Sequence, residues 1–203
     1  MFIEELFKSA WLRLLQKGTV HASRNGRFNQ LYHVNDPWGM ESEREQFRFL
    51  ETNRLIEKEL GNIGSLLEIG CGEGHQTEYL GSLCEHLYGF DVSKTAVSRA
   101  QQRCPDARLY IADVFSYQPE LKKFDLVVAC EVLYYIKDIP SALRRMNELG
   151  SKCLVTYYQA EPCILDPFFD DIRNIETRVI QAGDISWKVV WWDNTRTDDE
   201  GYS

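Results

Sequence analysis

The chain has 203 residues, with 31 Asp+Glu against 23 Lys+Arg for a formal net charge of −8, and is 44% hydrophobic and 27% charged. That length suits one ordinary domain, or one domain with a small appendage, able to bury a core without metal or disulfide staples. The composition excludes fibrous and disordered readings, and the acidic balance argues against nucleic acid as a partner. Apolar runs such as Leu126 to Cys130 fall far short of the roughly 18 residues a membrane helix needs, so no membrane partner is expected. The first residues, Met1-Phe2-Ile3-Glu4-Glu5-Leu6, are acidic where a signal peptide is basic, which points to the cytoplasm. Six cysteines, at 71, 84, 104, 130, 153 and 163, form no C-x-x-C pair. Buried, reduced thiols and no metal site are the expectation.

In chain order, Ile3, Leu6, Phe7, Ala10 and Leu14, joined by Trp11 and Leu15, recur at three- and four-residue spacing. This predicts an amphipathic helix over 2–15 that packs on the main domain, lids a pocket or forms a dimer face. Residues 18–42 mix Gly, Asn, Asp and Pro with the scattered aromatics Phe28, Tyr32 and Trp38, a pattern too irregular for regular structure. Residues 1–41 are thus expected to form a helix and aromatic loop that cap a main domain over 42–203. Ser42 and Glu45 make an S-x-x-E capping box that opens a helix to about Leu60, closed by Gly61.

Short β-rich runs follow at 65–69, 87–91, 108–111, 124–129 and 152–157, alternating with helical stretches at about 75–83, 94–103 and 140–149. Such alternation builds right-handed βαβ units and hence a doubly wound, mostly parallel sheet of the α/β class. The runs 175–180 and 185–192, joined by Gln181-Ala182-Gly183-Asp184, predict an antiparallel hairpin on the sheet edge, which brings the strands to seven. The polar tail from Asp193 to Ser203 has little to bury and is expected to fray.

The strongest local signal is Leu66-Leu67-Glu68-Ile69-Gly70-Cys71-Gly72-Glu73-Gly74, between the first strand and a helix, where doubly wound sheets hold a ligand. Glycines two apart let the backbone turn sharply and approach a bound molecule. The dinucleotide fingerprint G-x-G-x-x-G fails, because its third glycine is His75 counted from Gly70 and Thr77 counted from Gly72; no Gly-Lys-Ser/Thr completes a P-loop either. E-x-G-x-G-x-G instead resembles the first motif of the class I S-adenosylmethionine-dependent methyltransferases. The resemblance implies a Rossmann-like sheet and a cofactor made of an amino acid, a sulfonium, a ribose and an adenine, contacted by Glu68, Gly70, Cys71, Gly72 and Gly74.

Asp91 ends the second strand in Gly89-Phe90-Asp91-Val92-Ser93. An ionised carboxylate there can accept from two adjacent ribose hydroxyls. The resemblance sets Asp113, in Ile111-Ala112-Asp113-Val114, against the adenine edge, with Val92 and Val114 beside these acids; the aromatic loop, with Tyr32, Trp38 and Phe28, can close over cofactor and acceptor and offer ring faces to a sugar or to the sulfonium. Each acid alone is also an ordinary helix cap; three at the ends of three successive strands make a set.

The fourth strand, Phe124-Asp125-Leu126-Val127-Val128-Ala129-Cys130-Glu131, and the following Val132-Leu133-Tyr134-Tyr135-Ile136 resemble the family's fourth motif. That makes Glu131, Tyr134 and Tyr135 candidates to face the transferred methyl, with Glu131 also near the cofactor. Glu131 is the first choice to orient or deprotonate the acceptor, with His33 behind the tyrosines, while His75 reads as a packing or capping residue. A terminal-RNA methyltransferase is disfavoured, since Glu131-x-x-Tyr134 stands where a metal-binding E-x-x-H would need His and the net charge is wrong for RNA; no metal is expected.

Asp36-Pro37-Trp38-Gly39, Glu41-Ser42, Glu45-Gln46, Glu131-Val132-Leu133-Tyr134-Tyr135 and the 187–192 run resemble a narrower group, the NodS-like methyltransferases, whose named members N-methylate a sugar amine of a lipochitooligosaccharide. The superfamily's common Pro-Gly-Gly turn before the fifth strand is replaced by Gly150-Ser151-Lys152. The resemblance implies transfer of a methyl group from S-adenosylmethionine to a small-molecule acceptor, an amine of an amino sugar or related metabolite, by a monomer or homodimer. O-methylation of a hydroxyl or carboxyl is nearly as consistent, and a non-catalytic cofactor-binding partner is a third reading.

Overall fold

Seven strands join into one sheet in the computed structural model, which describes residues 24–159 and 164–195. They are β1 (Ile63–Ile69), β2 (Cys84–Asp91), β3 (Arg108–Ile111), β4 (Phe124–Cys130), β5 (Gly150–Tyr158), β6 (Ile175–Ala182) and β7 (Ile185–Asp193). The α-helices among the described residues are α1 (Arg24–Leu31), α2 (Glu43–Leu55), α3 (His75–Leu80), α4 (Lys94–Arg103) and α5 (Ile139–Leu149). The strand order is β3-β2-β1-β4-β5-β7-β6. β1 to β5 pair in parallel, and β7 runs antiparallel to both β5 and β6. This is the doubly wound α/β sheet that the strand and helix pattern predicts.

The apolar runs explain the layering. Successive side chains of a strand point to opposite faces, so Leu67, Val127, Val155 and Trp192 pack in one core with Met146 of α5. Their neighbours Leu66, Leu126, Leu154 and Trp191 pack in a second core with Ile56 and Leu60. Burial on both faces is what a parallel sheet demands, and the order reverses between β1 and β4, which opens a crevice at their carboxyl ends. At the opposite end, Asp125 Oδ2 accepts from the amides of Gly64 at 3.0 Å and Ser65 at 2.8 Å and from the Ser65 hydroxyl at 3.0 Å, which pins β4 to β1.

Several boundaries depart from expectation. Part of the stretch read as irregular is helical: α1 lies within 18–42 despite a sequence, RNGRFNQL, that contains glycine and two asparagines. Tertiary contacts outweigh its poor propensity, among them the Ser93 hydroxyl donating to Asn29 Oδ1 at 2.8 Å. The capped helix begins as predicted, with the Glu45 amide donating to Ser42 Oγ at 3.4 Å, but its last turn, Ile56–Leu60, is a π-helix. In the hairpin, only β6 is an edge strand; β7 lies inside, between β5 and β6. The first residues of the tail do not fray: Asp193 ends β7, and Asn194 donates from its amide to Ser151 O at 2.8 Å and from Nδ2 to Gly150 O at 2.9 Å. The helix expected over 2–15 lies outside the described residues.

Gly74 lets α3 approach α4. Its φ is +85°, and a Cβ there would stand 2.9 Å from Ala100 Cα. Left-handed strain and overpacking each cost a non-glycine residue there. Gly74→Ala is expected to lose about 2 to 4 kcal/mol in urea unfolding; a loss below about 0.5 kcal/mol would contradict this packing role.

Candidate active site

The carboxyl ends of β1, β2 and β4, with the turn after β3, open onto a cavity of about 950 Å³, covered by Phe28 and Leu31 of α1 and by Tyr32 and Trp38 of the loop after it. The lining includes Glu68, Gly70, Cys71, Gly72, Asp91, Val92, Asp113, Val114, Glu131, Tyr134, Tyr135 and Trp38. Of the candidate cofactor-binding residues, Gly74 alone is absent from the lining; it faces α4 instead. His33 is exposed and outside the lining, while His75 is buried within it beside Arg103.

Local chemistry sets the glycine turn. At Gly70 the chain turns at φ +76°, and a Cβ there would come 2.5 Å from Val132 Cγ2, so the turn packs directly on the segment that follows β4. The amides of Gly70 and Cys71 both donate to Phe90 O, at 2.8 and 3.1 Å, which ties the turn to β2.

The strand ends bring carboxylates together out of water. Burial pushes Glu68 up from the usual range near 4 to about 7, although the Thr77 hydroxyl, donating at 2.6 Å, pulls it back. Burial likewise pushes Asp91 up to about 6, against the amides of Ser93 at 2.8 Å and Gly72 at 3.2 Å. Asp113 is less buried, and its Oδ1 accepts from the amides of Phe115 at 2.9 Å and Ser116 at 2.8 Å, capping the turn after β3.

Glu131 sits in the left-handed region at φ +55°, an unusual conformation for a residue with a side chain. Its carboxylate accepts from the hydroxyls of Tyr134 and Thr156, the latter at 3.1 Å, and from the Tyr158 amide at 3.1 Å. Burial raises its pKa, and Arg48 holds it down. Most of its acceptor capacity is therefore spent on fixing Tyr134 and the end of β5. The Tyr135 ring packs against Phe28, Trp38 and Tyr134 with centroids 5.6, 5.4 and 5.5 Å apart. Trp38 Nε1 donates to Tyr32 Oη at 3.1 Å, which joins the roof into one aromatic cluster.

The roof is tied down by polar contacts. The Asp36 amide donates to Glu73 Oε2 at 2.8 Å, and Arg99 pairs with Glu73 and donates to Val34 O at 3.3 Å. Asp36, Glu73 and His75 bring ligand-type atoms within 4.8 Å of one another.

Sequence reasoning missed Arg48. It is 1% exposed and donates from Nε to Glu45 Oε2 at 2.8 Å, and from one terminal nitrogen to Gln76 Oε1 at 2.9 Å and Thr156 Oγ1 at 3.5 Å. The inward face of α2 is largely polar, with Glu45, Arg48, Thr52 and Asn53 around Phe49, whereas Phe47 and Leu50 are exposed. The spacing of Glu45, Arg48 and Thr52, three then four residues apart, was the available signal: a polar stripe on one helical face. Six carboxyl groups, those of Glu45, Glu68, Glu73, Asp91, Asp113 and Glu131, face the cavity, with Glu45 paired to Arg48 and Glu73 to Arg99, so a cationic ligand meets an acid-rich surround.

The shifts of Glu68 and Asp91 give a pH dependence of defined sign. A carboxyl group whose folded pKa is raised binds more protons folded than unfolded, so stability is fully present below the unfolded value and is lost as pH rises through the folded one. Without ligand, the melting temperature is expected to fall between about pH 4 and pH 7, and Asp91→Asn should flatten that fall. Differential scanning calorimetry across that range checks it; a melting temperature that rises over the same range, or an Asp91→Asn profile as steep as the parent's, contradicts it.

The model of the nodulation protein S family (NodS) matches residues 23–151. Nodulation protein S of Sinorhizobium fredii is 32% identical over 146 residues, 66% of this chain and 67% of that protein. Its counterpart in Bradyrhizobium diazoefficiens is 34% identical over 110 residues, 52% of each, so that match spans about half the length of either protein. The solved structure of the N-methyltransferase NodS from Bradyrhizobium japonicum WM9, in complex with S-adenosyl-L-homocysteine, matches with a TM-score of 0.71 at 22% identity, over 86% of this chain and 100% of that one, which shows the common fold. The chain belongs to the NodS family and is an S-adenosylmethionine-dependent methyltransferase.

Proposed function

We propose that the enzyme transfers the methyl group of S-adenosylmethionine to the amine of a small acceptor of the amino-sugar kind. The observation that carries this reading is the pairing of buried carboxylates with an aromatic cluster over one cavity. The sulfonium is a cation, and so is the methylated ammonium that a neutral amine becomes as it takes the methyl and the sulfur is left as a thioether; both gain from that surround and from ring faces.

The residues present fit the cofactor. Asp91 is an acceptor for ribose hydroxyls, Glu68 and the Gly70-Cys71-Gly72 turn suit the amino-acid portion, and Asp113, Val92 and Val114 suit the adenine end. When bound, S-adenosylmethionine supplies an electrophilic methyl on sulfur. The chain's own task is positioning, and alignment of this kind can lower a barrier by about 7–11 kcal/mol. Residues 24–41 act as the cap, with Tyr32 and Trp38 excluding water above the acceptor.

Glu131 acts by orientation. With the Tyr134 proton committed to Glu131, and the Tyr158 amide donating to Tyr134 Oη at 3.1 Å, the phenol oxygen keeps one lone pair for an N–H donor. An amine held there is aligned through its own hydrogen, and Tyr135 bounds it from the roof side. That a solved relative is an N-methyltransferase supports an amine over a hydroxyl through kinship; the acid-rich, aromatic surround supports it directly.

A glucosamine oligosaccharide with free amines is expected to accept a methyl group, and its fully N-acetylated counterpart is not, as read by mass spectrometry of the products. Equal methylation of both would assign the reaction to a hydroxyl. With the free-amine acceptor, Glu131→Gln should lower kcat by roughly 10²-fold through misalignment; full turnover would remove Glu131 from the site.

A further inference from the structure

Arg48 and Gln76 are 1% and 7% exposed, and both line the cavity. Arg48 donates to Gln76 Oε1 at 2.9 Å. A guanidinium only donates, so this bond fixes the amide with its oxygen toward Arg48 and leaves Nε2 as a donor. That Nε2 is buried and has no partner among the described residues. Among the described residues, the second terminal nitrogen of Arg48 finds no acceptor but the Met40 thioether, at 4.0 Å, a weak one. Two donor groups, one of them charged, are thus left for an acceptor that the described residues do not supply.

The rest of the cavity has the opposite chemistry. Glu68, Asp91 and Glu131 accept, and they suit hydroxyls and ammonium groups. An amino acid brings an ammonium and a carboxylate together, and the carboxylate needs donors. Gln76 stands two residues after the glycine turn, in α3, on the side of the cavity where Glu68 is bound by its neighbour Thr77. We propose that Arg48 and Gln76 form the subsite for the α-carboxylate of S-adenosylmethionine, an inference that rests on the cofactor reading above. Arg48 supplies the charge and Gln76 a second N–H, while Glu45 and Thr156 hold the guanidinium in place.

Gln76→Glu tests this cleanly, because it keeps the shape and an oxygen for Arg48 but replaces the free donor with a charged oxygen. Calorimetry compares S-adenosylhomocysteine with its decarboxylated analogue, 5′-deoxy-5′-(3-aminopropylthio)adenosine, which retains the amine and lacks the carboxylate. Gln76→Glu is expected to weaken S-adenosylhomocysteine by about tenfold or more, and the analogue by less than about threefold. Gln76→Met, which removes the donor without adding charge, should move the same ligand in the same direction by less, with thermal unfolding verifying that each variant is folded. Equal weakening of both ligands would make Gln76 a support of the glycine turn and overturn the subsite. Unchanged binding of S-adenosylhomocysteine would also overturn it, and would leave the donors for a carboxylate on the acceptor. If the parent protein binds S-adenosylhomocysteine and the variants behave in either of those ways, the subsite alone falls; if the parent does not bind it, the cofactor reading falls and takes the subsite with it.

Discussion

Carboxyl groups held out of water at the carboxyl ends of parallel strands are the constraint on which the rest of the structure depends. Glu68, Asp91 and Glu131 end or follow β1, β2 and β4, and each is surrounded by protein. Carboxylates in such a place are costly unless donors meet them. The donors come from every neighbouring element: the glycine turn and the start of α4 for Asp91, α3 for Glu68, β5 and the turn after β4 for Glu131. Arg48 then joins α2 to α3 and β5 through Glu45, Gln76 and Thr156, so the helix that precedes the sheet is bound to its active edge by polar contacts inside the cavity. Networks of this kind tolerate little slack, since an unmet group in a low dielectric costs more than one in water.

That architecture suits a reaction in which the protein contributes alignment more than chemistry. The groups around the cavity sit on strand ends and on turns packed against them, as Gly70 is on Val132. The aromatic roof is fastened at several points rather than hinged at one: Asn29 to Ser93, Asp36 to Glu73, Val34 to Arg99. The left-handed conformation of Glu131 fits the same picture. Strain of that kind persists where the surroundings over-determine it, and here three donors grip one carboxylate.

Much of this was legible in the residues. The strands could be found because parallel strands buried on both faces are continuous apolar runs, as in Leu126-Val127-Val128-Ala129, and the ligand site because glycines and acids sit at their ends. What the pattern could not reveal is physical in origin. Arg48 lies in a helix whose inward face is polar, and single-residue hydropathy assigns such a face to solvent. α1 exists through contacts with α4 and with Tyr135 in the turn after β4 that no local propensity encodes. Gly74 shares its motif with Gly70 and Gly72, yet its glycine is required by a helix beside it, because spacing along a chain does not distinguish a backbone approached by a ligand from one approached by Ala100. Asn194, in a tail of polar residues, is held by two hydrogen bonds to the start of β5 that hydropathy cannot foresee.

The most direct test of the account is proton linkage on cofactor binding. Burial holds Glu68 and Asp91 partly protonated near pH 6 in the free protein. A cationic ligand and its ribose hydroxyls favour the ionised forms, so S-adenosylmethionine should release protons as it binds. Calorimetric titration at about pH 6 in two buffers of different ionisation enthalpy measures this directly. Net proton release, diminished in Asp91→Asn, is the predicted result. Saturable binding with no proton exchange, or with proton uptake, would contradict the claim that buried carboxylates select the cofactor.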